Sequence, residues 1–172
     1  MTIRLSSMIC ASVLIVGTTL SAHAGDHGFG WDYKNYSGSG CLSQLARDAE
    51  LLDRGPNLIQ HSGGPRERQV RVMCPIARDN VLPSKSIDAS VTVTPGVECT
   101  FFSIDRAAGI VAAVQPSSSE DYSPTIRKYY FWLVEKQIAF DGTFSIRCTM
   151  NPGQAVFGYN VGELTDTTDS GT

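Results

Sequence analysis

No run of apolar residues in the 172-residue sequence reaches the ~20 needed to carry a helix across a bilayer. The nearest approach, Met8 to Leu20, is thirteen apolar and small residues long, which argues against the alternative of an uncleaved membrane anchor. Concentrated positive charge is missing too. Charged residues are 18% of the chain, with 14 Lys and Arg against 17 Asp and Glu, so nothing draws it toward nucleic acid phosphates. The densest basic stretch, Arg66-Glu67-Arg68-Gln69-Val70-Arg71, interleaves its charges with other residues and reads as a solvated face. Cysteines at CxxC spacing are absent, which removes the usual thiolate scaffold of a zinc centre. Neither GxSxG nor HExxH occurs, so a nucleophile elbow and a zincin helix lack their sequence footing. The chain has no internal repeat.

What is present begins with an export pattern. Arg4 precedes the Met8–Leu20 run, and Ala22-His23-Ala24 places small residues where a signal peptidase reads them. Residues 1–24 are therefore expected to be a cleaved signal peptide, and the mature chain to start at Gly25 in the periplasm or the medium, with no membrane attachment. One basic and no acidic residue leave with the signal, moving the net charge from −3 to −4. Cys10 leaves as well, and Cys41, Cys74, Cys99 and Cys148 remain. An even number of cysteines in an exported chain predicts two disulfides. Of the three possible connectivities, Cys41–Cys74 with Cys99–Cys148 is preferred, because Cys99 and Cys148 both lie in segments of strand character. That second bond is expected to tie one part of a β-fold to another across its core. The pairs enclose 33 and 49 positions, each worth about 4 kcal/mol in the chain-entropy treatment.

Residues 25–40 hold five glycines among sixteen positions and read as an irregular, Gly- and aromatic-rich arm. Leu42, Leu45, Ala46, Ala49 and Leu52 recur at helical spacing before Gly55-Pro56, predicting one short helix over 42–54. From Gln69 onward the period is two. Val70, Val72 and Cys74 share one face, Ile87, Ala89, Val91 and Val93 another, and Phe144, Ile146, Cys148 and Met150 a third. Glu98–Ile104, Gly109–Val114, Lys128–Val134 and Ala155–Val161 are further strands, separated by turn signals such as Thr94-Pro95-Gly96 and Asn151-Pro152-Gly153. Pro116–Pro124 reads as an exposed loop and 164–172 as a flexible tail. Many short strands without alternating helices predict an all-β protein, an antiparallel two-sheet sandwich spanning 41–163. Jelly roll, immunoglobulin-like and closed-barrel arrangements stay open.

The order Val72-Met-Cys-Pro-Ile-Ala-Arg-Asp-Asn80, a Cys99 strand, Phe144-Ser-Ile-Arg-Cys-Thr-Met-Asn-Pro-Gly153 and Val156-Phe-Gly-Tyr-Asn-Val-Gly-Glu163 resembles small secreted, disulfide-containing bacterial proteins of uncharacterised function. They share Cys-Pro-Ile/Val followed by Arg-Asp, a late strand ending in Cys-x-Leu/Met-Pro/Asn, and a closing Tyr-x-Val-x-Glu. The resemblance implies secretion, disulfides and β structure. It carries over no catalytic or binding residue.

Several polar or aromatic groups bear on function. Gly25-Asp26-His27, as a new amino terminus, would offer an amine, two amide nitrogens and an imidazole in the square-planar set that suits Cu(II) or Ni(II). Trp31, Tyr33 and Tyr36 cluster in the arm, while Lys128–Val134 sends Tyr129, Phe131 and Leu133 to one face and Tyr130, Trp132 and Val134 to the other. One of those faces must enter the core. The other is expected to be covered by a second layer, and the competing reading makes Trp31, Tyr130 and Trp132 an aromatic platform for glycan or protein. His61-Ser62-Gly63-Gly64 with Asp79 supplies the parts of a hydrolytic triad but reads as a turn after a short strand, and Glu120-Asp121 as solvated loop carboxylates. Arg78-Asp79-Asn80 reads as structural, with Asp79 capping a turn and Arg78 paired with a carboxylate. Asn35-Tyr36-Ser37 matches a glycosylation acceptor that a bacterial chain would leave unused. The sum is a non-enzymatic protein without cofactor, structural or binding in role. A glycan- or protein-recognition module is the runner-up, and a hydrolase comes third.

Overall fold

Alternating apolar residues build two facing sheets. The protein is described here by a computed structural model covering residues 30–63, 68–78 and 84–165. Residues 1–24, Gly25-Asp26-His27, Gly64, Asp79, Asn80 and 166–172 therefore lie outside the described residues, and with them the signal peptide, the amino-terminal metal site and the tail beyond Thr165.

The larger sheet is assembled from β1 (Gly30–Ser37), β3 (Leu52–Arg54), β4 (Ile59–His61), β6 (Ser84–Val93), β9 (Ser118–Ser123), β10 (Ile126–Val134) and β12 (Ala155–Thr165). Its order is β3-β4-β12-β6-β10-β9, and β1 pairs with β12 beyond the short β4. The smaller sheet is β2 (Leu42–Ser43), β5 (Val70–Ile76), β11 (Thr143–Met150), β7 (Glu98–Ile104) and β8 (Ile110–Val114), in the order β2-β5-β11-β7-β8. Every pairing is antiparallel. This is the two-sheet sandwich expected from the period-two pattern. The predicted inward faces of β5, β6 and β11 are all buried, as are Phe131 and Leu133 of β10. Phe101 of the smaller sheet meets Phe131 of the larger at 5.9 Å and Phe144 of its own at 5.7 Å, in the tilted arrangement that aromatic quadrupoles favour.

Both disulfides form as expected, Cys41–Cys74 and Cys99–Cys148. Their role differs from the expectation. Cys99 and Cys148 are direct cross-strand partners on β7 and β11, and Cys41 enters β2 beside β5, so both bonds staple the smaller sheet internally and neither crosses to the larger one. Polar side chains join the layers instead. The Tyr159 hydroxyl of β12 donates to the Pro75 carbonyl at 2.7 Å, and Tyr36 of β1 donates to Ala77 at 3.1 Å. Arg78, just past β5, faces Glu163 of β12 at 3.4 Å. The Cys74-Pro75-Ile76-Ala77-Arg78 and Tyr159-Asn160-Val161-Gly162-Glu163 stretches are thus the two halves of one clamp.

Four local expectations fail for tertiary reasons. The helix over 42–54 is replaced by β2, a 3₁₀ segment over Ala46–Leu51, and β3. Cys41 is tethered, Leu42-Ser43 pair with β5 and Leu52–Arg54 with β4, so both ends are held in extended backbone. Asp48 turns inward to meet Arg68 at 2.9 Å, leaving Leu42 and Leu45 exposed. The arm is not irregular over its described part, because Gly30–Ser37 pairs along β12 residue for residue. Its glycines flank Trp31–Ser37 and leave that stretch free to extend. The Pro116–Pro124 loop contains edge strand β9, and Leu164 and Thr165 belong to β12 rather than to a tail.

Candidate functional site

Successive residues of a strand point to opposite faces of the sheet, so the outer residues of the larger sheet align in rows across it. Pairing sets these rows without ambiguity. One row runs Trp31, Leu164, Ser86, Val134 across β1, β12, β6 and β10. The next runs Tyr33, Gly162, Asp88, Trp132, and the one after it Asn35, Asn160, Ser90, Tyr130. Lys128 and Glu120 face each other one row further along.

The two middle strands carry small or short residues, and the flanking strands carry rings that lean inward over them. Trp31 stacks on Tyr33 with centroids 5.7 Å apart, and Trp132 reaches from the other side to within 5.7 Å of Trp31. The Tyr33 ring lies on Gly162, where a β-carbon would meet its Cδ1 at 2.7 Å. Ser86 and Ser90 are buried although they point outward, and the Ser86 hydroxyl has no hydrogen-bond partner among the described residues. The rings themselves stay open to solvent, with Trp31, Tyr33 and Trp132 at 36%, 52% and 47% exposure. No second layer covers Trp132 within the described structure, which overturns the expectation that the outer face of β10 is shielded.

Gly162→Ala is expected to push the Tyr33 ring off the sheet while leaving stability within about 0.5 kcal/mol of the wild type, since the ring is exposed and can swing away. A changed near-UV dichroism with a nearly unchanged melting temperature would show this.

The polar groups on this face are mostly engaged with one another. Tyr130 donates to Glu120 at 2.9 Å, which with partial desolvation pushes its own ionisation up to about 12. Lys128 lies over the rings of Tyr130 and Tyr122, 5.0 and 6.0 Å from their centroids. Asn160 donates to Asn35 at 2.7 Å. On the opposite face of β9 and β10, Asp121 holds Arg127 at 2.6 Å, and that hydrogen bond lowers its carboxyl below the usual aspartate range. Asp88 differs. It sits in the Tyr33–Trp132 row without a hydrogen bond among the described residues, and burial raises its carboxyl above the usual range against the opposing pull of Lys128.

The structure thus brings Trp31 and Trp132 together and puts Tyr130 on the same face, one row away with its hydroxyl committed to Glu120. Tyr33 joins the cluster, while Tyr36 turns inward to stack on Tyr159 at 4.8 Å. Asp88 was not singled out from sequence, although a carboxylate in the middle of a strand, where Asp is disfavoured, was a legible signal. Among the described residues, His61 and Ser62 do not form a nucleophile–base pair. Buried His61 receives the Gly63 amide on Nδ1 at 3.2 Å, so Nε2 carries the proton and donates to the Arg68 carbonyl at 2.9 Å. Ser62 donates to Leu51 at 3.1 Å rather than to the imidazole. Glu120 and Asp121 lie on β9 and not in a loop. Arg78 pairs with a carboxylate as expected.

No family model matches the chain, and no curated protein matches it either. Among the described residues no helix is long and apolar enough to cross a membrane.

Proposed function

We propose that the protein is an exported, non-enzymatic glycan-recognition module whose outer sheet face stacks on sugar rings. The observation that carries this reading is the solvent-open cluster of Trp31, Tyr33 and Trp132 on a rigid seven-stranded sheet. Large apolar rings left in water weaken nothing else in the fold when a ligand covers them, and a pyranose presents an apolar C–H face of matching shape. Asp88, Asn35 and Asn160 border the rings with the acceptors and donors that sugar hydroxyls need. Because the platform is built on paired strands, its geometry is set before binding. The signal-like residues 1–24 and the two disulfides support an oxidising compartment outside the cytoplasm.

The test is a titration of the full mature chain with soluble neutral oligosaccharides, followed by tryptophan fluorescence and calorimetry, together with sedimentation on insoluble polysaccharides. Saturable binding is expected, with Trp132→Ala weakening it about tenfold and Trp132→Phe less. A platform that takes no saccharide, or a Trp132→Ala variant that binds as the wild type does, would remove the reading.

A further inference from the structure

We infer that Asp88, framed by Trp31, Tyr33 and Trp132, makes this platform selective for sugar rings that carry a protonated amine. The inference rests on the glycan reading and narrows it. The faces of the three rings present the negative side of their quadrupoles, which attracts cations. Asp88 adds a carboxylate in the row between Tyr33 and Trp132. The neighbouring cations are directed elsewhere. Lys128 lies two rows away over Tyr130 and Tyr122, Lys34 is turned to the opposite face of β1 beside Asp32 and Glu163, and Lys85 faces Glu135. Glu120, which shares the outer face, is also occupied, by the Tyr130 hydroxyl.

Among the described residues, the seat therefore combines a stacking surface, a lone carboxylate and no cation of its own within the ring cluster. A neutral sugar would meet Asp88 with hydroxyl donors alone. An amine at the same place brings up to three N–H donors and the compensating charge, and its hydrogen bonds to the carboxylate are of the stronger, charge-assisted kind. A sugar carboxylate would be repelled. The ligand class is a deacetylated amino sugar, taken in preference to its N-acetylated or acidic counterparts.

The experiment compares glucosamine oligomers with N-acetylglucosamine oligomers of equal length, using calorimetry on the wild type, Asp88→Asn, Asp88→Glu and Trp132→Ala. The wild type is expected to favour the amine form by about tenfold, with the ratio shrinking as salt rises. Asp88→Asn should bring that ratio close to one, Asp88→Glu should keep most of it, and Trp132→Ala should weaken both ligands. Equal binding of the two forms by the wild type would overturn amine selectivity while leaving the stacking reading intact. A preference that survives Asp88→Asn would overturn it as well, since it would then come from the net negative charge of the whole protein. Binding of neither ligand would count against the glycan reading itself.

Discussion

Glu163→Ala is expected to lower the stability of the protein by about 3–5 kcal/mol, the usual cost of orphaning one partner of a buried ion pair. Glu163 is 1% exposed and accepts from the Ser84 hydroxyl at 2.7 Å while facing Arg78. The Arg78 side chain is buried as well. It donates to the carbonyls of Ala139 and Phe140 at 2.8 and 3.2 Å and lies over the Phe144 ring at 4.8 Å. Removing the carboxylate leaves a guanidinium held among two carbonyls and a ring with its countercharge gone. It also unlocks the clamp that joins the end of β5 to β12, which the disulfides do not span.

The urea midpoint would report this loss directly. Arg78→Ala should cost a similar amount, and the two substitutions together should cost much less than their sum, because the second removes a charge already stranded by the first. Glu163→Gln should fall between, since it retains an acceptor for Ser84. Replacing the pair by Met and Leu should recover much of the stability. A loss below about 1 kcal/mol for Glu163→Ala would mean that water reaches Arg78 and that the sheets are held by apolar packing alone.

The inner faces of the sandwich were legible because a half-buried strand must alternate, and alternation needs no knowledge of its partner. Glu98–Ile104 has strand character over its whole length, and alternation alone sends Val70, Ile87 and Phe144 to the core. What could not be read is anything that depends on register. The strand character around Cys99 and Cys148 favours their pairing, but whether the bond crosses the sandwich or staples one sheet depends on the two facing each other on adjacent strands. Strand β1 exists because β12 lies 125 positions further on at the Asn35–Asn160 contact, and no local preference foretells that. The helix over 42–54 shows the reverse case, a local periodicity defeated by a tether at Cys41 and a buried Asp48–Arg68 pair. The candidate site joins both kinds. Trp31 and Trp132 were recognisable as unusual, yet their contact, and the place of Asp88 between Gly162 and Trp132, are properties of four strands in register.

Loss of the Cys99–Cys148 bond, by Cys99→Ala with Cys148→Ala, is expected to cost about 4 kcal/mol, for reasons that lie mainly in the unfolded chain. The bond closes a segment of 49 positions that leaves the smaller sheet after β7 and β8, builds β9 and β10 in the larger one, and returns as β11. In the folded state its partners are already adjacent, since β7 and β11 pair from Thr143 opposite Ile104 to Thr149 opposite Glu98. That ladder survives the substitution, so the native contacts change little and the destabilisation comes from the freedom the denatured chain regains. The variant should therefore show a lower urea midpoint, native-like dichroism in water and an intact platform, because Trp31, Tyr33, Asp88 and Trp132 all sit on the other sheet. The Cys41–Cys74 bond closes 33 positions and has a similar entropic value, but its partner strand β2 is only two residues long. Removing it should add local opening of the segment from Cys41 to Arg54, seen as faster amide exchange there and not in β7. Equal exchange behaviour in the two variants would show that β2 is held by more than its disulfide.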